Sequence, residues 1–473
     1  MPEQSQSFTR EAIASLCAQA VHPDEVVSNT AVRRLFAEVV EVLNDSFLPS
    51  RAALYDKIFT QVINHCRHLP EGKGLDELLK RFDITDERTM LARKKKIQAV
   101  AVFSPTVLKK VRKICVLSRV TIGADVAVTG VVLRKLMTVF PGVSITLIGP
   151  NKLAEVFGGH PDIRIKDVPY ARRGGLLGRL YAWVDLVSII DAEKQDLEPE
   201  EFLVIDPDSR LTQLGLLPVV PEDRGYYFFP SRTYTNGQAS SMGALTACWL
   251  EDIFGGGNKK IYPGIFINQD VLALGKTCAQ KLSLSGQRPV VSINFGVGGN
   301  ENKRVSSVFE ECLVAAIIQL GAAVILDKGF GSEVALTDAM LARLKSKGLA
   351  VLEVDPGNIQ ELSRQKSLTY DVLTWEGGIG VFSAMIAASD VYIGYDSGFQ
   401  HIAAAQGIAV IDVLIGAASP LFARRWTPYG RNNVLVIRGS RGRRAQPYSE
   451  AILTQITAYL GRKLLAKNNK SNS

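Results

Sequence analysis

The sequence predicts an α/β protein with two parallel-sheet domains, preceded by an all-α region. Three observations carry that prediction. From Lys113 onward, short apolar runs such as Ile114-Cys115-Val116-Leu117 and Ala409-Val410-Ile411-Asp412-Val413-Leu414 alternate with helical stretches. That is the pattern of βα units whose strands are covered on both faces. The pattern lapses after Phe202-Leu203-Val204-Ile205-Asp206 and restarts at Pro289-Val290-Val291-Ser292-Ile293, so two sheets are expected. Up to about residue 105, apolar residues recur at three and four spacing, as from Ala31 to Leu43, which is helical periodicity.

Length and composition agree. At 473 residues the chain is long for one domain, and an apolar content of 47% supports real cores and excludes a disordered chain. No apolar run is long and charge-free enough to cross a bilayer, and Met1-Pro2-Glu3-Gln4-Ser5 lacks the features of a signal peptide. A cytoplasmic location is therefore expected. Cys17, Cys66, Cys115, Cys248, Cys278 and Cys312 form no C-x-x-C pair, which suits reduced thiols and argues against zinc. His65-Cys66-Arg67-His68 has no partner cluster to complete a metal site.

The net charge is +8, from 55 basic and 47 acidic residues. Basic clusters stand at Arg93-Lys94-Lys95-Lys96, at Lys109 to Lys113 and at Arg438 to Arg444. They read as a solvated basic face or as contacts to a phosphorylated substrate or an anionic membrane surface. The lack of an aromatic-interleaved RNA motif or a Cys/His finger weighs against nucleic acid.

Four segments follow. Residues 1–105 read as four or five helices punctuated by Pro23, Pro49 and Pro70. They carry no acid/base cluster, so a protein partner, self-association or packing on the next domain is their expected role. Residues 106–262 hold strands at Ile114–Leu117, Ile163–Ile165 and Phe202–Asp206, and a turn and strand within Pro141–Ile148. Residues 263–448 hold the second series, with strands near Val290, Ala323, Ala350, Val391 and Ala409. In residues 449–473, the helix Ser449 to Leu465 can fold back on the first sheet, and 466–473 are expected to fray. Ligands of such sheets bind at the carboxyl ends of the strands.

Familiar phosphate loops are missing: there is no G-x-x-x-x-G-K-[ST] and no full G-x-G-x-x-G. Gly296-Val297-Gly298-Gly299-Asn300-Glu301-Asn302-Lys303-Arg304 comes nearest, with two cations in place of the last glycine. Gly298 and Gly299 give it a flexible backbone, and Lys303 and Arg304 are placed to grip a diphosphate. Asp206-Pro207-Asp208 imitates a metal-chelating D-x-D, but in the first sheet. In Val391–Gly407 a buried strand ends at Asp396-Ser397-Gly398 and a small-residue helix begins. Ser or Asp there caps backbone N–H groups, Gly admits a ligand, and the helix start favours a phosphate. His401 lies one turn along on the same face as Ser397.

Asp396-Ser397-Gly398-Phe399-Gln400-His401-Ile402-Ala403-Ala404-Ala405 resembles the D-[ST]-G-x-x-H-x-A-A-A signature of glycosyltransferase family 9, the ADP-heptose:lipopolysaccharide heptosyltransferases and their relatives. Further segments match in the family's order: Gly123-Ala124-Asp125-Val126-Ala127-Val128-Thr129, Phe202–Asp206 with Arg210, Lys303-Arg304, and Gly416-Ala417-Ala418-Ser419-Pro420 with Trp426-Thr427-Pro428-Tyr429-Gly430. The resemblance spans roughly residues 113–440. It departs where Ala124 separates Gly123 from Asp125, where Gly130-Val131 stand in place of the proline expected after Thr129, where Val305 replaces a Trp, and in residues 1–105, which have no counterpart.

The resemblance implies a GT-B fold, two Rossmann-like domains facing across a cleft. It also implies an inverting glycosyltransferase with a nucleotide-diphosphate sugar donor such as ADP-heptose and no metal or other cofactor. The acceptor is then a lipopolysaccharide core, another glycan, a lipid-linked sugar or a protein, and the enzyme works in the cytoplasm or at the inner membrane. Asp125 is placed as the general base. Lys303, Arg304 and the N–H groups at Ser397 and Gly398 are placed to hold the leaving diphosphate. Asp396 is placed to orient the donor, Glu333 to hold a ribose and His401 to brace the loop. A degenerate nucleotide-binding scaffold that works through residues 1–105 is the alternative from another class. A nicotinamide oxidoreductase lacks its glycine fingerprint.

Overall fold

The computed structural model describes residues 9–99, 103, 109–170, 175–237, 239–255, 260–284, 286–362, 364–365, 368–439 and 446–471. The chain divides into two compact units. The first comprises Met1–Ala154, Pro161–Pro263 and Ala418–Trp426; the second comprises Glu155–His160, Gly264–Ala417 and Thr427–Ser473.

The first unit opens with helices Arg10–Ala20, Glu25–Arg34, Pro49–Arg67, Lys73–Arg81 and Glu87–Ile97. Their starts follow from local chemistry. The Thr9 hydroxyl accepts from the Ala12 N–H at 3.2 Å, Asp24 accepts from Val26 at 2.8 Å, Pro49 opens the third helix, and Asp86 with Thr89 forms a capping box. The sheet beneath is all parallel, in the order β3-β2-β1-β4-β5. Its strands are β1 (Lys113–Leu117), β2 (Ser144–Gly149), β3 (Ile163–Asp167), β4 (Phe202–Asp206) and β5 (Tyr226–Phe228).

The helices do not form a core of their own. Ile13, Leu35, Tyr55, Phe59, Val62, Leu75 and Met90 belong to one continuous buried cluster with Cys115 and Leu117 of β1, Val204 of β4, and Trp183 of the helix Leu176–Glu193. Each helix has one apolar stripe, and such a stripe must be buried against another element. Here the face of the first sheet supplies it. The basic run at Arg93 joins in. The Arg93 Nε donates to Asp223 at 2.8 Å, while Lys94 is buried, donates to the Leu214 carbonyl and stands 3.8 Å over the Phe228 ring. The run Arg438 to Arg444 lies outside the described residues from Ser440 onward.

In the second unit the strands are β6 (Val290–Asn294), β7 (Ala323–Asp327), β8 (Val351–Val354), β9 (Val372–Trp375), β10 (Val391–Tyr395), β11 (Ala409–Ile415) and β12 (Val434–Gly439). All pairs are parallel, in the order β12-β11-β10-β6-β7-β9-β8. The C-terminal helix runs Gln446–Ser471. Its Ile452, Ile456, Leu460 and Leu464, spaced by four, join the core over β6, β7, β10 and β11. It thus packs within the second unit and not on the first sheet, because its apolar stripe meets Phe309, Leu313 and Ile317 in the same cluster. The helix also takes in residues 466–471, part of the expected frayed tail. Among the described residues no helix is long and apolar enough to cross a membrane.

Candidate functional site

In the second sheet the chain enters at β6, adds β7 on one side and later β10 on the other. The strand order therefore reverses between β6 and β10, and the crevice at such a reversal is where open α/β sheets bind ligands. Three loops leave adjacent strands at that edge: 295–304 after β6, 328–331 after β7, and 396–397 after β10. The sequence reading names Gly298, Gly299, Lys303, Arg304, Asp396, Ser397, Gly398 and His401 in or next to two of these loops, and Glu333 in the first turn after the third.

The loops are cross-tied. The Lys303 ammonium donates to Asp396 Oδ2 at 2.7 Å and to the Asp396 carbonyl at 3.2 Å. The other Asp396 oxygen accepts from Gln400 Nε2 at 3.2 Å. Ser397 and Gln400 form a capping box at the start of the helix Gly398–Ala405, with the Ser397 N–H donating to Gln400 Oε1 at 3.3 Å. Asn294, at the end of β6, donates to Asp327 Oδ2 at 2.6 Å and accepts from the Gly296 N–H at 3.1 Å. Burial pushes the Asp327 carboxyl up to about 7, against the pull of its bonds to Asn294 and the Gly329 N–H.

Glu333 is a clamp. Its Oε1 accepts from the N–H groups of Val297 at 2.7 Å and Gly298 at 3.0 Å, and its Oε2 accepts from Phe330 at 3.2 Å. Gly298 and Gly299 have φ of 62° and 80°, a left-handed turn that side-chain-bearing residues avoid. Consecutive N–H groups converging on one carboxylate oxygen make a small anion-binding concavity.

Arg304 is placed differently. Its guanidinium donates to both oxygens of Glu310, with the Nε contact at 3.0 Å, and Tyr395 donates to the same carboxylate at 3.0 Å. The Glu310 side chain is 3% exposed and that of Arg304 10% exposed. Of the two cations, Lys303 is the one joined to the Asp396 loop.

His401 is buried, and burial drives its imidazole down to about 4, so it is neutral at physiological pH. Asp412 of β11 stands in register with Gly394 of β10 and is 1% exposed. Its Oδ1 meets no hydrogen-bond donor among the described residues, and burial raises its carboxyl well above the carboxylate range. The sequence reading missed Asn294, Glu310, Asp327, Gln400 and Asp412. Gln400 was legible as the third residue after a capping Ser, and Asp412 as an acid inside an apolar run.

Asp125 belongs to the first unit. Val120, before the helix Ile122–Ala124, has φ 63°, a strained value for a β-branched residue. Asp125 begins a π-helical turn to Thr129, with the Gly130 N–H donating to its carbonyl. The Asp125 carboxylate is fully buried. It accepts from Ser118 Oγ at 2.8 Å, the Arg119 N–H at 2.7 Å and Thr129 Oγ1 at 2.8 Å. Burial lifts it to about 6, against the downward pull of these bonds. In Asp206-Pro207-Asp208, Asp206 accepts from Thr212 and Tyr226, each at 2.5 Å, and Asp208 pairs with Arg232. Among the described residues no group of three or more His, Cys, Asp or Glu is arranged to hold a metal.

No family model matches the chain, and no curated protein matches it. Solved structures do. The chain is similar to Escherichia coli ADP-heptose lipopolysaccharide heptosyltransferase II at 16% identity, over 76% of this chain and 100% of that one, with a TM-score of 0.47. It is similar to E. coli heptosyltransferase WaaC with ADP at 12% identity, over 73% and 98%, with a TM-score of 0.47. It is similar to TibC, an iron-containing dodecameric glycosyltransferase of enterotoxigenic E. coli, at 10% identity, over 77% and 78%, with a TM-score of 0.37. Heptosyltransferases, the class whose motifs the sequence resembles, are thus among the solved structures that this chain is similar to.

Proposed function

We propose that the chain is a GT-B glycosyltransferase that moves a sugar, heptose or a relative, from a nucleotide-diphosphate donor to a hydroxyl acceptor with inversion. One observation carries the reading: the Lys303–Asp396 pair and the Gly298-Gly299 turn, held by Glu333, stand on neighbouring loops at the strand-order reversal of the second sheet. In this reading the leaving diphosphate takes the Lys303 charge and the N–H groups of the helix start at Ser397 and Gly398, while Glu333 holds the Gly298-Gly299 loop in place. Fixed donors aimed at developing charge are the largest common source of rate enhancement. Asp396 orients Lys303 and the donor sugar. Glu333 ties two loops and offers its remaining lone pairs to a ribose. Arg304 supports the loop through Glu310, and His401 braces it as a neutral ring.

Asp125 is the general base of this reading. A carboxylate at about 6 is better matched to accepting a hydroxyl proton than an ordinary one. The acceptor is a glycan, a lipid-linked sugar or a protein, reached in the cytoplasm or at an anionic membrane surface. No metal is required, since the cation and the N–H groups take the diphosphate charge.

The test is transfer of sugar from a panel of nucleotide sugars in excess EDTA. Transfer that persists supports the reading. Loss of transfer, restored by magnesium or manganese, overturns its metal-free part. A second reading, a nucleotide-binding scaffold without transfer, is favoured by the three bonds and full burial of Asp125. Donor binding with no transfer or hydrolysis of any nucleotide sugar would select it.

A further inference from the structure

We propose that Phe330 is the platform on which the base of the donor nucleotide stacks; this rests on reading the second unit as a nucleotide-diphosphate site. Phe330 is 91% exposed, the most exposed large hydrophobic side chain among the described residues. It sits at the carboxyl end of β7, in the loop to the helix Ser332–Ser346. Flanking glycines, Gly329 with φ 81° and Gly331 with φ 63°, make the turn and leave the ring without a neighbouring side chain in sequence to cover it.

The loop that presents the ring is tied down. The Phe330 N–H donates to Glu333 Oε2 at 3.2 Å, the Gly329 N–H to Asp327 Oδ2 at 3.2 Å, and the Lys328 N–H to the Trp375 carbonyl at 2.9 Å. An exposed aromatic held on a tethered loop is suited to meeting a flat partner with little ordering cost. Glu333, which holds the Phe330 N–H, also holds the N–H groups of Val297 and Gly298. The bare ring and the anion-binding turn therefore share one anchor.

Strand order sets the spacing. β10 neighbours β6, and β6 neighbours β7. At ~4.8 Å per strand, the Phe330 loop stands about 10 Å across the sheet from the Asp396 loop, a span that a nucleoside diphosphate can bridge. A ligand with a flat apolar end and a doubly charged end matches a ring at one side and Lys303 with the helix start after Asp396 at the other. Stacking uses the π face and not the hydrogen-bonding edge, so it fixes the base without selecting it by hydrogen bonds.

The test measures binding of nucleoside diphosphates and of inorganic pyrophosphate to the full chain by calorimetry, for wild type, Phe330→Ala and Phe330→Trp. Phe330→Ala is expected to weaken nucleoside diphosphates roughly 5- to 100-fold, the scale of one lost base stack, and to leave pyrophosphate unchanged. Phe330→Trp is expected to restore affinity, with added fluorescence that nucleoside diphosphates quench and pyrophosphate does not. Equal nucleoside diphosphate affinity in wild type and Phe330→Ala overturns the stacking role while leaving nucleotide binding intact. Parallel loss of pyrophosphate binding overturns it too, since the substitution then acts through the loop. Wild type that binds no nucleoside diphosphate overturns the site itself.

Discussion

The ammonium of Lys303 lies 2.7 Å from a carboxylate oxygen of Asp396, a pair that joins the loop after β6 to the loop after β10. The Lys303 side chain is 29% exposed and that of Asp396 12% exposed. The charge is thus held in place yet open to a ligand. Its neighbour Arg304 is paired to Glu310, and both side chains are more buried than Lys303, at 10% and 3% exposed. The two substitutions should therefore fail in different ways. Lys303→Ala is expected to slow transfer or weaken donor binding by roughly ten- to a thousand-fold, the scale of a lost charge-assisted contact, with little change in melting. Arg304→Ala strands the buried Glu310 and is expected to cost about 3 kcal/mol of stability. Calorimetry with thermal melts checks both, and a Lys303→Ala protein with normal affinity and normal turnover would refute the donor assignment.

Asp125→Asn separates a base from a brace. Both side chains accept hydrogen bonds, so the bonds from Arg119 and Thr129 can survive, but only the carboxylate takes a proton. If Asp125 is the base, turnover falls about 10²- to 10⁴-fold with donor affinity little changed. The titration of a group near 6 should then disappear from the pH profile of turnover. Near-normal transfer at saturating donor and acceptor would leave Asp125 as a structural brace.

His401 should make the protein acid-sensitive. The folded ring takes its proton only near pH 4, held down first by burial, whereas an unfolded histidine takes it near 6.5. Between those values the unfolded chain binds more protons, so stability falls as pH falls from 6.5 toward 4. The contribution of this one residue is up to about 3 kcal/mol. His401→Gln, which has no charge to gain, is expected to flatten that part of the curve in chemical denaturation. Parallel curves for the two proteins would show that the ring does not govern it.

Residues 1–105 should not be dispensable for folding. A chain starting near Lys109 loses Ile13, Leu35, Phe59 and Met90 from a cluster that also holds Leu117, Trp183 and Val204. Phe59→Ala is expected to cost about 3–5 kcal/mol as a buried large-to-small change. Amide exchange should report loss of protection in β1 and β4 as well as in the helix. Loss confined to the helix would mean that the region folds alone.

Much of this was legible in the chain, and the gaps have physical causes. The runs at Val290, Ala323 and Ala409 are apolar because their strands are covered on both faces, so they announce themselves. β5, at Tyr226–Phe228, is only three residues long, and β12 is an edge strand with mostly half-buried residues; the run Val434-Leu435-Val436-Ile437 of β12 is apolar too, and the sequence reading passed over it. Gly296–Arg304 and Asp396–His401 could be picked out singly, but only the pairing of β6 with β10 brings them together. Adjacent cations look alike in sequence. What separates Lys303 from Arg304 is Glu310, on the helix that follows. Periodicity likewise tells that a helix has a buried face without telling what buries it. That is why residues 1–105 read only as an all-α region, with packing on the next domain one of several expected roles.

The segment Ala418–Trp426 belongs to the first unit although it follows β11 of the second. There Phe422 and Trp426 pack with Phe47, at ring-centroid distances of 6.3 and 6.5 Å. During synthesis, then, the N-terminal helices leave the ribosome long before their last aromatic partners exist. Every strand of the second sheet except β12 is made in the interval. The first unit can begin early but closes late, and the exposed face around Phe47 during that wait is where a nascent chain of this protein would be open to a chaperone or to aggregation.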